Sequence, residues 1–285
     1  MATYLETILK VVRKEVEEAK VRRSLRALEK WLPNIPPPLD FNAALEGGCL
    51  IAEIKKCSPS IGSMRAKNVT DAPSAYESSH LVHAVSILTN KTFFGMGIDD
   101  FDNLRKIITK PILRKDFIIE EYQIVEARAY GADAILLMGN VLDGEAFKRL
   151  HAFARSLGLH VLCEVHTESH IKALPHGVEI CGINSRKFAD GNRFLFNQVI
   201  ASGLLKQDAS TDKSVFKLID KLPVAAKKVA ESGVSLRTYS DVVSMGFDAA
   251  LIGASLLTSE RGIRTELELF EHASVNHFKR NAVPA

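Results

Sequence analysis

The first part of the chain has the hydrophobic pattern of an amphipathic helix. Its apolar residues recur at i, i+3 and i+4 spacing, which places them on one helical face. They are Leu5, Ile8, Leu9, Val12 and Val16. Helical character continues over residues 21–31, and prolines at positions 33, 36, 37 and 38 then exclude a helix. We therefore predict that residues 1–47 form a helical extension ahead of the main domain.

From residue 48 the pattern changes to short runs rich in Val, Ile and Leu, separated by amphipathic segments of helical length. The runs cover residues 50–54, 84–88, 111–113, 134–138, 160–165, 178–183, 227–230 and 249–252. Eight apolar runs in this alternation indicate parallel strands that are covered by helices. Residues 48–285 are therefore predicted to form one α/β domain, a (β/α)8 or TIM barrel. An open doubly wound sheet would alternate in the same way, but the G-x-G-x-x-G typical of its first turn is absent.

Composition and charge narrow the class of protein. The 37 basic and 34 acidic residues give a net charge of +3, which is too balanced to indicate binding to nucleic acid or to a membrane. The four cysteines have no C-x-x-C spacing and are expected to be reduced. We find neither a secretory signal pattern nor an apolar run approaching ~18 residues. The sequence therefore predicts a cytoplasmic protein, and we expect a monomer or a weak homo-oligomer.

Charged and polar side chains follow several of the predicted strands, where the active site of a (β/α)8 barrel forms. These side chains are Glu53, Lys55, Lys115, Glu164, Asn184, Arg186 and Glu231. Glu53 and Lys55 are two residues apart, so both face the barrel mouth if Ala52 and Ile54 pack outward. Gathering two lysines and three glutamates is unfavourable unless they pair or take part in catalysis. A salt-bridge network that closes the barrel is the alternative, and a catalytic site is the interpretation we favour.

Small residues follow the last two predicted strands, as Ser232-Gly233 and Gly253-Ala254. At these positions of a barrel, small residues allow backbone N–H groups to approach a phosphate. Lys55 would supply a cation. The pattern therefore predicts a small-molecule substrate that carries a phosphate.

Taken together, these segments resemble the indole-3-glycerol phosphate synthase family of tryptophan biosynthesis. The specific ones are E-I-K-K-C-S-P-S at residues 53–60 and R-K-D-F-I-I at residues 114–119. Supporting segments lie at residues 86–89, 93–95, 131–137, 164–166, 182–186, 231–234 and 251–256. They follow the order of the family over about residues 50–257, and the helical extension is also similar.

The resemblance implies a lyase that acts on 1-(2-carboxyphenylamino)-1-deoxyribulose 5-phosphate. The aromatic ring attacks the ribulose carbonyl, and carbon dioxide and water leave without a metal or an organic cofactor. Ring closure needs an acid at the carbonyl oxygen, a role that the resemblance gives to Lys115. By the resemblance, Glu164 and Glu53 supply the acid and the base of dehydration. Which of the two is the acid is left open, and Lys55 could share the acid role. Asn184 would orient the substrate or Glu164, and Glu231 would lie in the same polar network.

The resemblance also implies the groups that bind the substrate. Ser58 and Arg186 would contact the anthranilate carboxylate. An apolar slot for the aromatic ring would be lined by Phe94, Phe117 and Leu136. Ser232 would also contact the substrate, and the phosphate would be bound by Lys55, Gly233, Gly253 and Ala254.

Several mouth residues depart from the pattern of the family. They are Ile61 and Lys187, where basic and acidic residues are usual, together with Leu81-Val82, Met96-Gly97, Gly139-Asn140 and a long connection over residues 187–226. None removes a predicted catalytic group, but they leave open a paralogue that acts on a different anilino-sugar phosphate. A catalytically silent barrel that serves as a binding or scaffold subunit is the other alternative, although it would be expected to lack Lys115, Glu164 or Glu53.

His166 and His170 are four residues apart and would form half of a metal site. Because Glu164 ends a strand while the histidines fall in the segment that follows, we do not predict a metal there.

Overall fold

The computed structural model of the protein describes residues 4–186 and 211–281. Its centre is a closed barrel of eight parallel strands, as predicted. The strands are β1 (Cys49–Ile54), β2 (Val82–Leu88), β3 (Ile112–Lys115), β4 (Ala134–Met138), β5 (His160–Val165), β6 (Ile180–Asn184), β7 (Lys227–Glu231) and β8 (Ala249–Ile252). Strands that are consecutive in the chain are neighbours in the barrel, and β1 closes it by pairing with β8.

Helices alternate with these strands. Three precede the barrel, namely α1 (Tyr4–Arg22), α2 (Leu25–Glu29) and α3 (Phe41–Ala44). The others among the described residues are α4 (Ala66–Ser78), α5 (Lys91–Phe94), α6 (Ile98–Arg105), α7 (Glu121–Ala129), α8 (Gly144–Ser156), α9 (Glu168–Lys172), α10 (Leu236–Ser244), α11 (Ala254–Leu257) and α12 (Ile263–Asn281). Two 3-10 helices span Leu32–Asn34 and Lys213–Lys221, and Cys57–Ser58 pairs with Gly62–Ser63 in a short hairpin. Within the described residues, we find no helix that combines the length and the apolar character needed to span a bilayer.

Alternate residues of β1 face opposite sides of the barrel wall. Ala52 and Ile54 pack outward in a hydrophobic core that also contains residues of α4, whereas Ile51 belongs to a second core inside the barrel. Glu53 and Lys55 continue the inward set, because side chains of a strand alternate with a period of two. The wall of the barrel thus brings both charges to the mouth, as the spacing predicts.

The first helix lies against the barrel mouth. Ile8, Val12 and Val16 are at most 6% exposed and join the inner core of the barrel, which also contains Phe117. The Lys20 ammonium lies 2.7 Å from a carboxylate oxygen of Glu120, which follows β3. The apolar face predicted for this helix is therefore the face that docks on the mouth.

Three strands end later than the apolar runs predicted. β3 continues to Lys115, β6 to Asn184 and β7 to Glu231, because the backbone of these residues still pairs with a neighbouring strand. Of the long connection after β6, residues 187–210, which include Lys187, lie outside the described residues.

Candidate active site

Three charged side chains from different strands meet at the barrel mouth. The Lys115 ammonium of β3 lies 3.4 Å from Glu164 Oε2 of β5 and 3.1 Å from Glu231 Oε2 of β7. Asn184 Nδ2 of β6 donates to the same Glu164 oxygen at 2.9 Å. Glu164 and Glu231 are fully buried, and 14% of the Lys115 side chain is exposed. The lysine is therefore the most exposed of the three charged side chains.

A second ion pair lies at the end of β1. Lys55 Nζ donates to Glu53 Oε1 at 2.5 Å, and both side chains are buried. A Cβ atom added to Gly253 would lie 2.4 Å from the same Glu53 oxygen. Gly253 was predicted to approach a phosphate, and the structure shows that its missing side chain also makes room for Glu53.

Lys115 and Glu53 are both held in their charged forms by their neighbours. Burial lowers the pKa of Lys115, but the three neighbouring glutamates outweigh burial and hold that pKa above its ordinary value. Burial would raise the pKa of Glu53, but Lys55 and then Lys115 hold it below its ordinary value. Lys115 is thus kept as a proton donor and Glu53 as a proton acceptor.

Glu164 and Glu231 are separated in the same way. Burial would raise the pKa of Glu164, but the charge of Lys115 and then His166 hold it below its ordinary value. Burial raises the pKa of Glu231 to about 8, and the charge of Glu164 adds to that rise. Since two adjacent buried carboxylates disfavour a second negative charge, the pair holds one proton at neutral pH.

Two phenylalanines that follow β2 and β3 form an aromatic slot. The rings of Phe94 and Phe117 are nearly parallel, with centroids 6.4 Å apart and 17° between their planes. Leu136 of β4 is buried and belongs, like Phe117, to the inner core. The structure therefore pairs Phe94 with Phe117, and Leu136 lies in the core that contains Phe117.

The predicted carboxylate contacts are linked through a residue that the sequence did not single out. Arg186 Nη1 donates to Ser60 Oγ at 2.7 Å, and Ser60 Oγ lies 3.4 Å from Ser58 Oγ. The backbone N–H of Arg186 donates to Asn184 Oδ1 at 3.0 Å. A guanidinium and two hydroxyls thus form one polar group beside Asn184.

The turn after β7 has an unusual backbone. Ser232 and Gly233 both have positive φ, 63° and 66°, and Ser232 is the one non-glycine residue of the described ranges in that region. Ser185 Oγ holds the turn by donating to Ser232 O at 2.9 Å. After β8, α11 begins at Ala254, where first-turn N–H groups have no acceptor within the helix. Both turns therefore suit the predicted phosphate.

Comparison with known proteins decides the family. The sequence profile described as indole-3-glycerol phosphate synthase matches residues 5–198. The chain is 36% identical to the indole-3-glycerol phosphate synthase of Mycolicibacterium gilvum and 35% identical to that of Mycolicibacterium smegmatis, in each case over 266 residues. Each match covers 90% of the chain and 90% of the relative. The chain belongs to the indole-3-glycerol phosphate synthase family. The resemblance inferred from its motifs is thereby confirmed.

Some solved structures share the barrel fold of this family member at low sequence identity. The 3-hexulose-6-phosphate synthase of Salmonella typhimurium has a TM-score of 0.57 at 15% identity, covering 80% of the chain and 99% of that protein. The N-(5'-phosphoribosyl)anthranilate isomerase of Pyrococcus furiosus has a TM-score of 0.51 at 11% identity, covering 80% and 99%. At such identities the likeness shows the fold.

The structure adds three residues to the site of this indole-3-glycerol phosphate synthase family member. Ser60 is the first, and it could have been found as the second hydroxyl of Ser58-Pro59-Ser60. Gly182 is the second, because a Cβ atom there would lie 2.0 Å from Glu231 Oε1. His166 is the third, with Nε2 3.4 Å from Glu164 Oε1. Within the described ranges, we find no group of three or more His, Cys, Asp or Glu side chains placed to hold a metal ion.

Proposed function

We propose that the chain catalyses the reaction of its family. In it, 1-(2-carboxyphenylamino)-1-deoxyribulose 5-phosphate becomes indole-3-glycerol phosphate, carbon dioxide and water. The observation that carries the proposal is the position of Lys115, whose ammonium lies between Glu164 and Glu231 and which precedes Phe117 of the aromatic slot by two residues. Because only carbon dioxide and water are lost, the conversion needs no oxidant and no organic cofactor.

Ring closure is assigned to Lys115. The ring carbon that bears the carboxylate attacks the ribulose carbonyl carbon, and a carbon–carbon bond forms while the carbonyl oxygen takes a proton. The elevated pKa of Lys115 keeps a proton available on Nζ until negative charge develops on that oxygen. The carboxylate then leaves as carbon dioxide, and its bonding electrons return to the ring.

Dehydration is assigned to the remaining carboxyl groups. The hydroxyl formed in ring closure leaves as water once it receives a proton, which the Glu164–Glu231 pair holds at neutral pH. The carbon next to the nitrogen must lose a proton to complete the indole. Glu53 has a depressed pKa and serves as that base, with Lys55 stabilising its charge.

The remaining site residues bind and orient the substrate in this proposal. Arg186, with Ser58 and Ser60, faces the anthranilate carboxylate, and Asn184 fixes Glu164. The turn at Ser232-Gly233 and the start of α11 at Gly253-Ala254 receive the phosphate, with Lys55 supplying a positive charge. These assignments are supported by the contacts within the site and by the family.

The direct test is to add the standard substrate to the purified protein and to follow the fluorescence of the indole product. Turnover is expected for the wild type. For Lys115→Ala we expect kcat to fall by at least ~10²-fold, the scale of acid catalysis. A variant with near-normal kcat would remove Lys115 from its role, and a silent wild type would contradict the activity itself.

Neither a different anilino-sugar phosphate nor a silent scaffold has an observation in its favour. We further propose that the protein works in the cytoplasm, as a monomer or weak homo-oligomer, on this small molecule and without nucleic acid or membrane. The four free cysteines support a reducing compartment. Cell fractionation and light scattering of the purified protein test these points.

A further inference from the structure

Phe94, one wall of the aromatic slot, belongs to a helix that cannot hold itself in place. α5 contains four residues, far below the length at which an isolated helix is stable. Asn90 caps it, with Oδ1 accepting from the Phe93 N–H at 3.0 Å. The position of the Phe94 ring therefore depends on contacts from outside α5.

One of those contacts comes from the segment after β1, where the Lys56 N–H donates to Phe94 O at 3.1 Å. Others come from one carboxylate on the N-terminal helix. Glu15 Oε2 accepts from Asn90 Nδ2 at 2.7 Å. Glu15 Oε1 accepts from Thr92 Oγ1 at 2.5 Å and from the Thr92 N–H at 3.2 Å. Both polar atoms of the Asn90 amide are thus bonded: its oxygen caps α5, and its nitrogen donates to Glu15.

The helix that carries Glu15 is itself fixed. Val12 and Val16 flank Glu15 on α1 and are buried in the core that contains Phe93 and Phe117. The Thr92 N–H belongs to the first turn of α5, where a negative charge is favourable. Glu15 therefore connects a firmly packed helix to the short element that bears the slot wall.

We propose that Glu15 is a positioning residue that holds Phe94 in place for the aromatic ring of the substrate. The inference rests on the proposed function, since that function gives the slot its ligand. Because the ring that Phe94 holds contains the carbon that attacks the carbonyl, losing the Glu15 contacts weakens substrate binding and loosens the alignment for ring closure. KM then rises and kcat/KM falls.

The donor–acceptor direction of the Glu15–Asn90 bond provides the test. Glu15→Gln turns an amide nitrogen toward the Asn90 amide nitrogen, while its oxygen can still accept from Thr92. Asn90→Asp instead sets two carboxylates against each other, although Asp can still cap Phe93. In the E15Q/N90D double variant the bond reforms with donor and acceptor exchanged.

We expect KM to rise about tenfold in each single variant, the scale of a lost hydrogen bond to a charged group. The double variant should return to within about threefold of the wild type, a non-additivity typical of residues in contact. The matched control is Glu18→Gln, on the same helix and largely exposed beside Lys14. Its KM and kcat should both equal those of the wild type.

Two results would overturn the proposal. One is a wild-type KM in Glu15→Gln. The other is a double variant whose rise in KM is the product of the two single rises. A variant that lowers the melting temperature without moving KM counts with the first result, because it shows a purely structural contact.

Amide hydrogen exchange over residues 90–95 keeps this test separate from the proposed function. Exchange should quicken in both single variants and slow again in the double variant, whether or not the wild type turns over the substrate. An inactive wild type with this exchange pattern contradicts the proposed function but supports the Glu15 contact. Unchanged exchange in the single variants contradicts the Glu15 contact alone.

Discussion

Gly182 gives the sharpest test of how the barrel wall supports the charged group. It lies on β6, two residues before Asn184, which is the register partner of Glu231, and it has an ordinary backbone conformation that alanine can adopt. An alanine Cβ there would lie 2.0 Å from Glu231 Oε1, 3.1 Å from Glu231 Cδ and 3.2 Å from Leu162 Cδ1. Non-bonded carbon and oxygen atoms do not approach to 2.0 Å, so the carboxyl group must move.

The required movement sets the expected loss of activity. Glu231 Oε1 must withdraw by about 1 Å, and a displacement of that size within a catalytic site can cost ~10²-fold in rate. Overpacking of the wall should also destabilise the fold by about 1–3 kcal/mol. Because Lys115 contacts the other Glu231 oxygen, its bond at 3.1 Å should be lost as the carboxyl group turns.

The assay is steady-state turnover of the standard substrate by Gly182→Ala, followed by indole fluorescence, together with urea unfolding. Gly144→Ala is the matched control, since a Cβ atom at that helical position would meet no heavy atom within 4 Å. It should keep wild-type kcat. The reasoning is refuted if Gly182→Ala keeps kcat within threefold of the wild type while remaining folded.

Two further predictions concern protonation and burial. The pKa of Glu231 is raised to about 8 in the folded protein, so folding favours the neutral carboxyl group. The stability that comes from this preference is complete below the pKa of Glu231 in the unfolded chain, and it is lost as pH rises through about 8. We expect kcat and the free energy of unfolding of the wild type to fall as pH rises through that range. In Glu231→Gln the decline in unfolding free energy should be absent. Equal profiles of unfolding free energy against pH in the two proteins would contradict the assignment. Arg114 of β3 is buried, and its guanidinium lies 3.2 Å from Asp116 and 2.9 Å from Glu126. Arg114→Met should therefore cost about 3–5 kcal/mol in urea unfolding, because it leaves two buried carboxylates without a cation. A loss below 1 kcal/mol would show that this network does not support the strand that ends at Lys115.

The sequence by itself determined the barrel and the residues at its mouth. Eight apolar runs in regular alternation specify parallel strands, because strands covered by helices are apolar on both faces. The period of two then places Glu53 and Lys55 on the inward side, and the ends of the runs mark Lys115, Glu164 and Glu231. These features are local, and each can be read from a few consecutive residues.

Only the tertiary structure decided which of these residues touch. Lys115 and Glu231 are 116 residues apart in the chain, and their contact follows from the closure and register of the barrel. The room left by Gly182 and Gly253 is likewise occupied by side chains of other strands. Glu15 has no local mark of a role, since on sequence it is one acidic residue in a charged helix. Contacts and protonation depend on which groups share a buried space, and packing of the whole chain sets that space.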